Sequence, residues 1–233
     1  MVSRTVTVWP IATRFQSRRK REHDIVDATR ALFDQRGLQD APMEDIARAV
    51  GINKAQIYRH FSSKEELFVL TVTRYLDELG ELLIADLADI REPVERLERS
   101  IDGYAAFCLR YPAFLDCALS LMRRPAAELQ ESVSEAVWLR LGQAMGALLG
   151  GLSRTLAAGA AEGVFDVPDP DFTANHIYAQ TLGTMHLARS GVGVRKQEPG
   201  VAEMFALDPE AVRRAAVRGA LATVTREVVE PTP

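Results

Sequence analysis

Cysteine and histidine are scarce in this chain, at two and four of 233 residues. Cys108 and Cys117 stand in apolar surroundings, with no C-x-x-C pair and no histidine at metal-ligand spacing. That excludes a disulfide scaffold and a structural zinc, calls for no cofactor, and fits a reduced, cytoplasmic protein. Aromatic residues make up only 7% of the chain. No glycine-rich phosphate loop, nucleophile elbow or H-E-x-x-H motif is present, which argues against an enzyme. Long apolar runs are also missing. The longest weakly apolar stretch, the 13 residues between Arg140 and Arg154, is too short to span a bilayer. Arg4 and Pro10 interrupt the first eleven residues, so no signal peptide is read there. Sustained strand alternation and internal repeats are likewise absent from the pattern.

Charge is present in both signs but is unevenly placed. Residues 1–63 carry 11 Lys+Arg against 7 Asp+Glu, and the remainder carries 17 against 25. A basic N-terminal part on an acidic body suggests a nucleic-acid module joined to something else. A protein that coats DNA without sequence preference would need basic charge over most of its surface, which the body lacks.

Helical periodicity dominates, so the fold class expected is all-α. Residues 1–21 read as a flexible arm ending in the basic run Arg18, Arg19, Lys20 and Arg21. A helix is expected over 22–36, where Ile25, Ala28, Thr29, Leu32 and Phe33 recur at helical spacing, with Gly37 as its stop. A second runs over 42–50, opened by Pro42 at its first position. Gly51 makes a tight turn, Asn53 caps a third helix over 54–61, and Ser63 with Glu66 has capping-box spacing for a long fourth. Prolines then punctuate helices over 94–110, 113–122, 127–161, 170–190 and 208–229, with 191–206 as a long loop. Gly142, Gly146 and Gly150 recur every four residues, which suggests a close helix crossing inside the body.

Residues 43–68 have the layout of a helix-turn-helix, whose second helix enters the major groove. The N-terminal end of such a helix needs short or polar side chains, and Lys54, Ala55 and Gln56 stand there. Lys can donate to guanine, Gln can pair with adenine, and Ala can touch a thymine methyl. Arg59 can reach a phosphate or a guanine.

These residues carry a resemblance. Ile46-Ala47, Val50-Gly51-Ile52, Ile57-Tyr58-Arg59-His60-Phe61 and Ser63-Lys64-Glu65-Glu66-Leu67 resemble the DNA-binding domain of the TetR family of bacterial transcriptional regulators. The resemblance covers 22–68, roughly a fifth of the chain. It implies phosphate contacts from Tyr58, His60 and Lys64, beside which the run 18–21 becomes a phosphate or minor-groove arm. One departure is that Ala41-Pro42 stand where the family usually has Thr or Ser, leaving Asp40 as the alternative cap.

By the same resemblance, residues 69–233 form a ligand-binding and dimerisation domain. Tyr104, Phe107, Cys108, Phe114, Met122, Trp138 and Met145 are candidate pocket residues, with His176, Tyr178 and His186 as polar contacts; each also suits an ordinary helical core. Helices 170–190 and 208–229 are expected to build the dimer. Ala215, Gly219 and Ala220 on a small-residue face are the candidate contact, against a partner or against the chain's own core. The implied function is a ligand-responsive regulator, a repressor that binds a palindromic operator as a homodimer and is released by a small-molecule effector. Activation instead of repression stays open.

Overall fold

A computed structural model describes residues 11–37, 42–198 and 201–225. In chain order the elements are α1 (Ile11–Arg36), α2 (Met43–Ala49), α3 (Lys54–Ile57), α4 (Lys64–Asp86), α5 (Pro93–Arg110), α6 (Pro112–Met122), α7 (Ala126–Ser132), α8 (Glu135–Ala161), α9 (Pro170–Ser190), β1 (Val192–Glu198), β2 (Val201–Ala206) and α10 (Pro209–Val224). The class is all-α with one small hairpin. No single described helix is long and apolar enough to cross a membrane.

Local chemistry sets most helix starts. Glu92, Asp169 and Asp208 each accept a backbone N–H of the first turn through their carboxylates, and each precedes a proline at the first helical position. The acid satisfies an orphan donor, and the proline has no donor to lose. Gly37 and Gly51 take positive φ at the two stops where the chain reverses.

Four expectations are corrected. The helix expected over 22–36 begins at Ile11, so the basic run 18–21 lies on helix and not in a flexible arm. Residues 18–24 include none that is buried, so a core-facing period could not reveal that stretch. Arg and Lys are good helix formers, and Arg18 Nε pairs with Glu22 Oε1 one turn on, at 2.9 Å. Residues 1–10 of the arm and the candidate cap Asp40 lie outside the described residues. The expected helix over 127–161 is two, broken at Val133 and Ser134, whose backbones are extended. The expected loop over 191–206 contains an antiparallel hairpin, pairing Val192 with Ala206 and Val194 with Met204. Finally, a Cβ at Gly142 or Gly146 would meet nothing within 4 Å among the described residues, and one at Gly150 only Arg154 of the same helix, so these three glycines mark no close crossing there.

The body packs around α5, whose buried stripe includes Leu97, Ile101, Tyr104, Ala105 and Cys108. Helices α4, α8, α9 and α10 surround it. Gly159 lets Phe165 turn back onto α8, because a Cβ there would lie 2.1 Å from the ring. The N-terminal unit is joined to the body by α4 itself, which runs unbroken across residue 68. A polar clamp fixes α1 against it. Arg30 lies over the Tyr75 and Tyr111 rings at 4.3 and 4.9 Å and meets Glu78 at 2.5 Å, while Tyr75 donates to Asp34 at 2.7 Å. Burial opposes the charge on Glu78, but Arg30 and Tyr111 outweigh it and hold its carboxyl below the usual range.

Candidate nucleic-acid interface and the body cavity

Helices α1 to α3 and the start of α4 enclose a small core of Ile25, Phe33, Ile46, Ala47, Ile57, Phe61 and Leu67. Ile57 and Phe61 anchor α3 from behind, which leaves Lys54, Ala55, Gln56, Tyr58 and Arg59 exposed on one side. The turn between α2 and α3 is closed by Ile52 N donating to Ala47 O at 2.9 Å. Pro42 precedes α2 as its N-cap, not as its first helical residue, and supplies no side-chain bond.

The N-terminal end of α3 is more constrained than its exposure suggests. Asn53 Oδ1 accepts from Gln56 N at 2.9 Å, and Gln56 Oε1 accepts from Asn53 N at 3.0 Å. This reciprocal box engages the Gln56 carbonyl oxygen, so pairing both edges of an adenine requires the box to open. Lys54 Nζ meets Glu44 Oε1 at 2.7 Å, a surface pair that holds the Glu44 carboxyl below its usual range. The signal N-x-x-Q was present in the sequence, but the partner of Lys54 was not readable, because it lies ten positions away across the turn.

Phosphate-type donors flank α3. Lys64 is exposed at the first turn of α4, and Arg18, Arg19, Lys20 and Arg21 are exposed on α1. His60 is half-buried, and its Nδ1 lies 3.6 Å from Glu22 Oε1, which also accepts from Arg18. The basic stretch of α1 therefore stands beside the C-terminal end of α3, and both belong to one surface.

The far end of α4 enters a cavity of about 270 Å³ between α4, α5, α8 and α9. Of the expected pocket residues, Tyr104 and Met145 line it, as does Tyr178. Phe107, Cys108 and Phe114 do not. They are buried in an aromatic junction where the Phe107 and Phe114 rings meet edge-on at 5.1 Å, and burial pushes the Cys108 thiol up to about 12. Met122 is exposed at the end of α6, Trp138 is half-buried near the start of α8, and His176 is exposed beside Phe172. Leu83, Leu87, Arg96, Ser100, Ile101 and Leu148 line the cavity without having been singled out. Their helical stripes are legible, but which stripe borders a void and which fills a core depends on the neighbouring helix.

The small-residue face of α10 is also corrected. Ala220 is buried inside the chain, and a Cβ on Gly219 would lie 2.9 Å from Gln180 Nε2 of α9. Ala215 and Gly219 retain partial exposure. Of the three, Gly219 packs closely on α9 of the same chain.

A three-helix unit with an exposed, capped third helix, set on a helical body, defines a helix-turn-helix protein of two parts. The family profile described as bacterial regulatory proteins, tetR family, matches residues 25–70. Over those residues the chain matches the DNA-binding domain of the TetR family. An uncharacterized HTH-type transcriptional regulator of Mycobacterium tuberculosis is 42% identical over 77 residues, which are 33% of this chain and 38% of that protein. The chain thus matches well under two thirds of that relative's length. The whole fold is similar to a solved protein of Saccharomonospora viridis in complex with choline, at 19% identity and a TM-score of 0.61 over 90% of this chain and 100% of that one. It is also similar to the FadR regulator of Bacillus subtilis in complex with stearoyl-CoA, at 15% identity and a TM-score of 0.61 over 87% and 99%.

Proposed function

We propose that this protein is a ligand-responsive transcriptional repressor, a homodimer that binds a palindromic operator and releases it when a small molecule occupies the body cavity. The observation that carries this reading is the course of α4. Its first residue, Lys64, lies on the DNA-facing surface, and Gly80, Leu83, Ile84 and Leu87 at its other end wall the cavity. A 23-residue helix is about 34 Å long and rigid, so displacement at one end is felt at the other. The choline and stearoyl-CoA held by proteins of the same fold support occupancy by a small molecule.

On the DNA, Lys54, Ala55 and Gln56 read bases, while Tyr58, His60, Lys64 and the α1 run Arg18 to Arg21 contact phosphates. Arg59 serves either end. Two such units must sit about 34–36 Å apart to read a palindrome, which requires a fixed partner. The outward residues Phe172 and Leu187 of α9, with Ala215 of α10, form the proposed dimer surface.

The test is fluorescence anisotropy against the DNA upstream of the protein's own coding region, with excess bulk DNA as competitor. Retained binding, a dimer by sedimentation and a rise in reporter expression on deleting the protein are expected. Loss of binding to bulk competitor would make it a non-specific binder, and a fall in reporter expression would make it an activator.

A further inference from the structure

We infer that the effector is an anionic amphiphile: a carboxylate-type head held by Arg96 and Arg154, an apolar chain, and a second oxygen function meeting Tyr104 at the far end. This rests on the reading of the cavity as the effector site, and it adds the chemistry of what fits.

The first observation is charge. Among the described residues, Arg96 and Arg154 are the only ionised side chains in the cavity wall, and no Asp, Glu or His joins them. Neither has a carboxylate within ion-pair distance among the described residues. Arg96 is half-buried and its Nη1 donates only to two carbonyls, Leu87 O at 2.7 Å and Ile90 O at 2.8 Å. Those bonds fix the guanidinium without neutralising it. Arg36, Arg189 and Arg213, by contrast, each reach a carboxylate. A fixed, unneutralised guanidinium at an apolar cavity favours an anion and disfavours a cation.

The second observation is position. Helix α8 runs alongside α4 in the same direction, since Glu66 meets Ser134 near their starts and the Gly80 backbone meets Leu148 further on. Arg154 therefore stands beside the last turn of α4, and Arg96 is bonded to the residues that follow that turn. Both arginines mark one end of the cavity. Arg154 and Ile84 are exposed there, which makes that end the mouth.

The third observation is Tyr104. It lies eight residues along α5 from Arg96, about 12 Å by helical rise. It is 9% exposed, and its enclosed hydroxyl lies beside the Cys108 thiol and the Tyr178 hydroxyl without a well-formed hydrogen bond among the described residues. A buried hydroxyl without such a bond is costly, and the Tyr104 side chain is part of the cavity wall. Ile101, Met145, Leu148 and Leu152 supply apolar wall between the two poles. A ligand that satisfies both poles needs a negative head, an apolar middle and an oxygen near its other end.

The test is titration calorimetry of the full chain with decanoate, decanol and decyltrimethylammonium, which share a chain and differ in head charge. Decanoate should bind at least about ten-fold more tightly than either of the others. Arg154→Gln should remove most of that advantage and leave decanol unchanged; Arg154 is exposed and makes no hydrogen bond among the described residues, so folding should be unaffected. The ω-hydroxylated decanoate should exceed decanoate a few-fold in the native protein and match it in Tyr104→Phe. Binding of the ammonium at or above decanoate, an equal effect of Arg154→Gln on decanoate and decanol, or no binding of any of the three would overturn the anion assignment. An unchanged ω-hydroxyl preference in Tyr104→Phe would remove Tyr104 from it. Operator release is measured separately. Decanoate binding without release would sink the effector reading and keep the chemistry, whereas release by a cation alone would do the reverse.

Discussion

The N-terminal unit and the body treat polar side chains in opposite ways. Around α3 the functional groups stand outside, exposed, and are tied by contacts a few residues apart, such as Asn53 with Gln56. In the body the telling groups are inside: a tyrosine hydroxyl with no well-formed hydrogen bond among the described residues and a guanidinium held only by carbonyls. A surface that reads DNA must present its donors to a rigid external template, so they are exposed and locally pre-set. A cavity presents unsatisfied groups to a guest, so those groups are buried and left unpaired until it arrives. The two sites are joined by α4 and by the contact of its first turn with the break between α7 and α8. There Ser63 Oγ donates to Ser132 O at 3.1 Å, and Glu66 accepts from Ser62 N and Ser134 Oγ.

The sharpest way to break this contrast is to empty the small core behind α3. Phe61 is 2% exposed, and Phe61→Ala should cost about 3–5 kcal/mol in the N-terminal unit. Calorimetry should then show an early transition with the body still folded and specific DNA binding lost. A single transition shifted as a whole would mean that the two regions do not unfold independently.

The dual role of Gln56 gives the next largest effect. Gln56→Ala should relax preference at one base position by about 1–3 kcal/mol. It should also lower stability by roughly the 0.5–2 kcal/mol of a lost cap. Asn53→Ala breaks the same box and should show the stability loss alone. Binding to a panel of singly altered operators separates the two, and identical base preferences for both variants would restrict Gln56 to capping.

Lys64→Ala should weaken binding to all sequences alike. It should also make the slope of log K against log salt shallower by about 0.9 per subunit, since one fewer counterion is released. An unaltered slope would take Lys64 off the phosphates and shift the interface toward α1.

The smallest expected effect is a pH dependence at the joint. Burial opposes the charge on Glu66, yet the hydrogen bonds from Ser134 and Ser62 prevail and hold its carboxyl below the usual carboxylate range. Because the folded value is the lower one, the stability it contributes is present above the unfolded pKa. That contribution is lost as pH falls through the folded value. Thermal melts between pH 7 and 3 should therefore show a steeper acid loss in the native protein than in Glu66→Gln. Parallel curves would mean that the joint gains nothing from the charge.

Much of the N-terminal unit was legible because its determinants are close in sequence. Ile46, Ala47, Ile57 and Phe61 fall at helical spacing, and Gly51 and Asn53 mark the turn between them. The start of α1 was missed for the converse reason. Residues 18–24 bury nothing, and a solvated run of Arg, Lys, Glu, His and Asp has no apolar period to read. The hairpin over Val192–Glu198 and Val201–Ala206 was missed because its alternation is short and is interrupted by Gly193, which accepts the Phe205 ring across the strands. In the body the choice between core and cavity was undecided at every candidate. Phe107 and Tyr104 lie three residues apart on one helix, yet one fills the aromatic junction and the other borders the void.

The sequence by itself determined the helical class, the helix-turn-helix, the exposed set on α3 and the capped starts of α5, α9 and α10, because each follows from interactions within a few residues. Only the tertiary structure decided that α10 turns Ala220 inward, that α4 links the DNA-facing surface to the cavity, and that Arg96, Arg154 and Tyr104 share one wall system. Those facts depend on where a second helix lies. Spacing along one chain segment fixes which residues share a face, but what that face meets is set by packing between segments far apart in sequence.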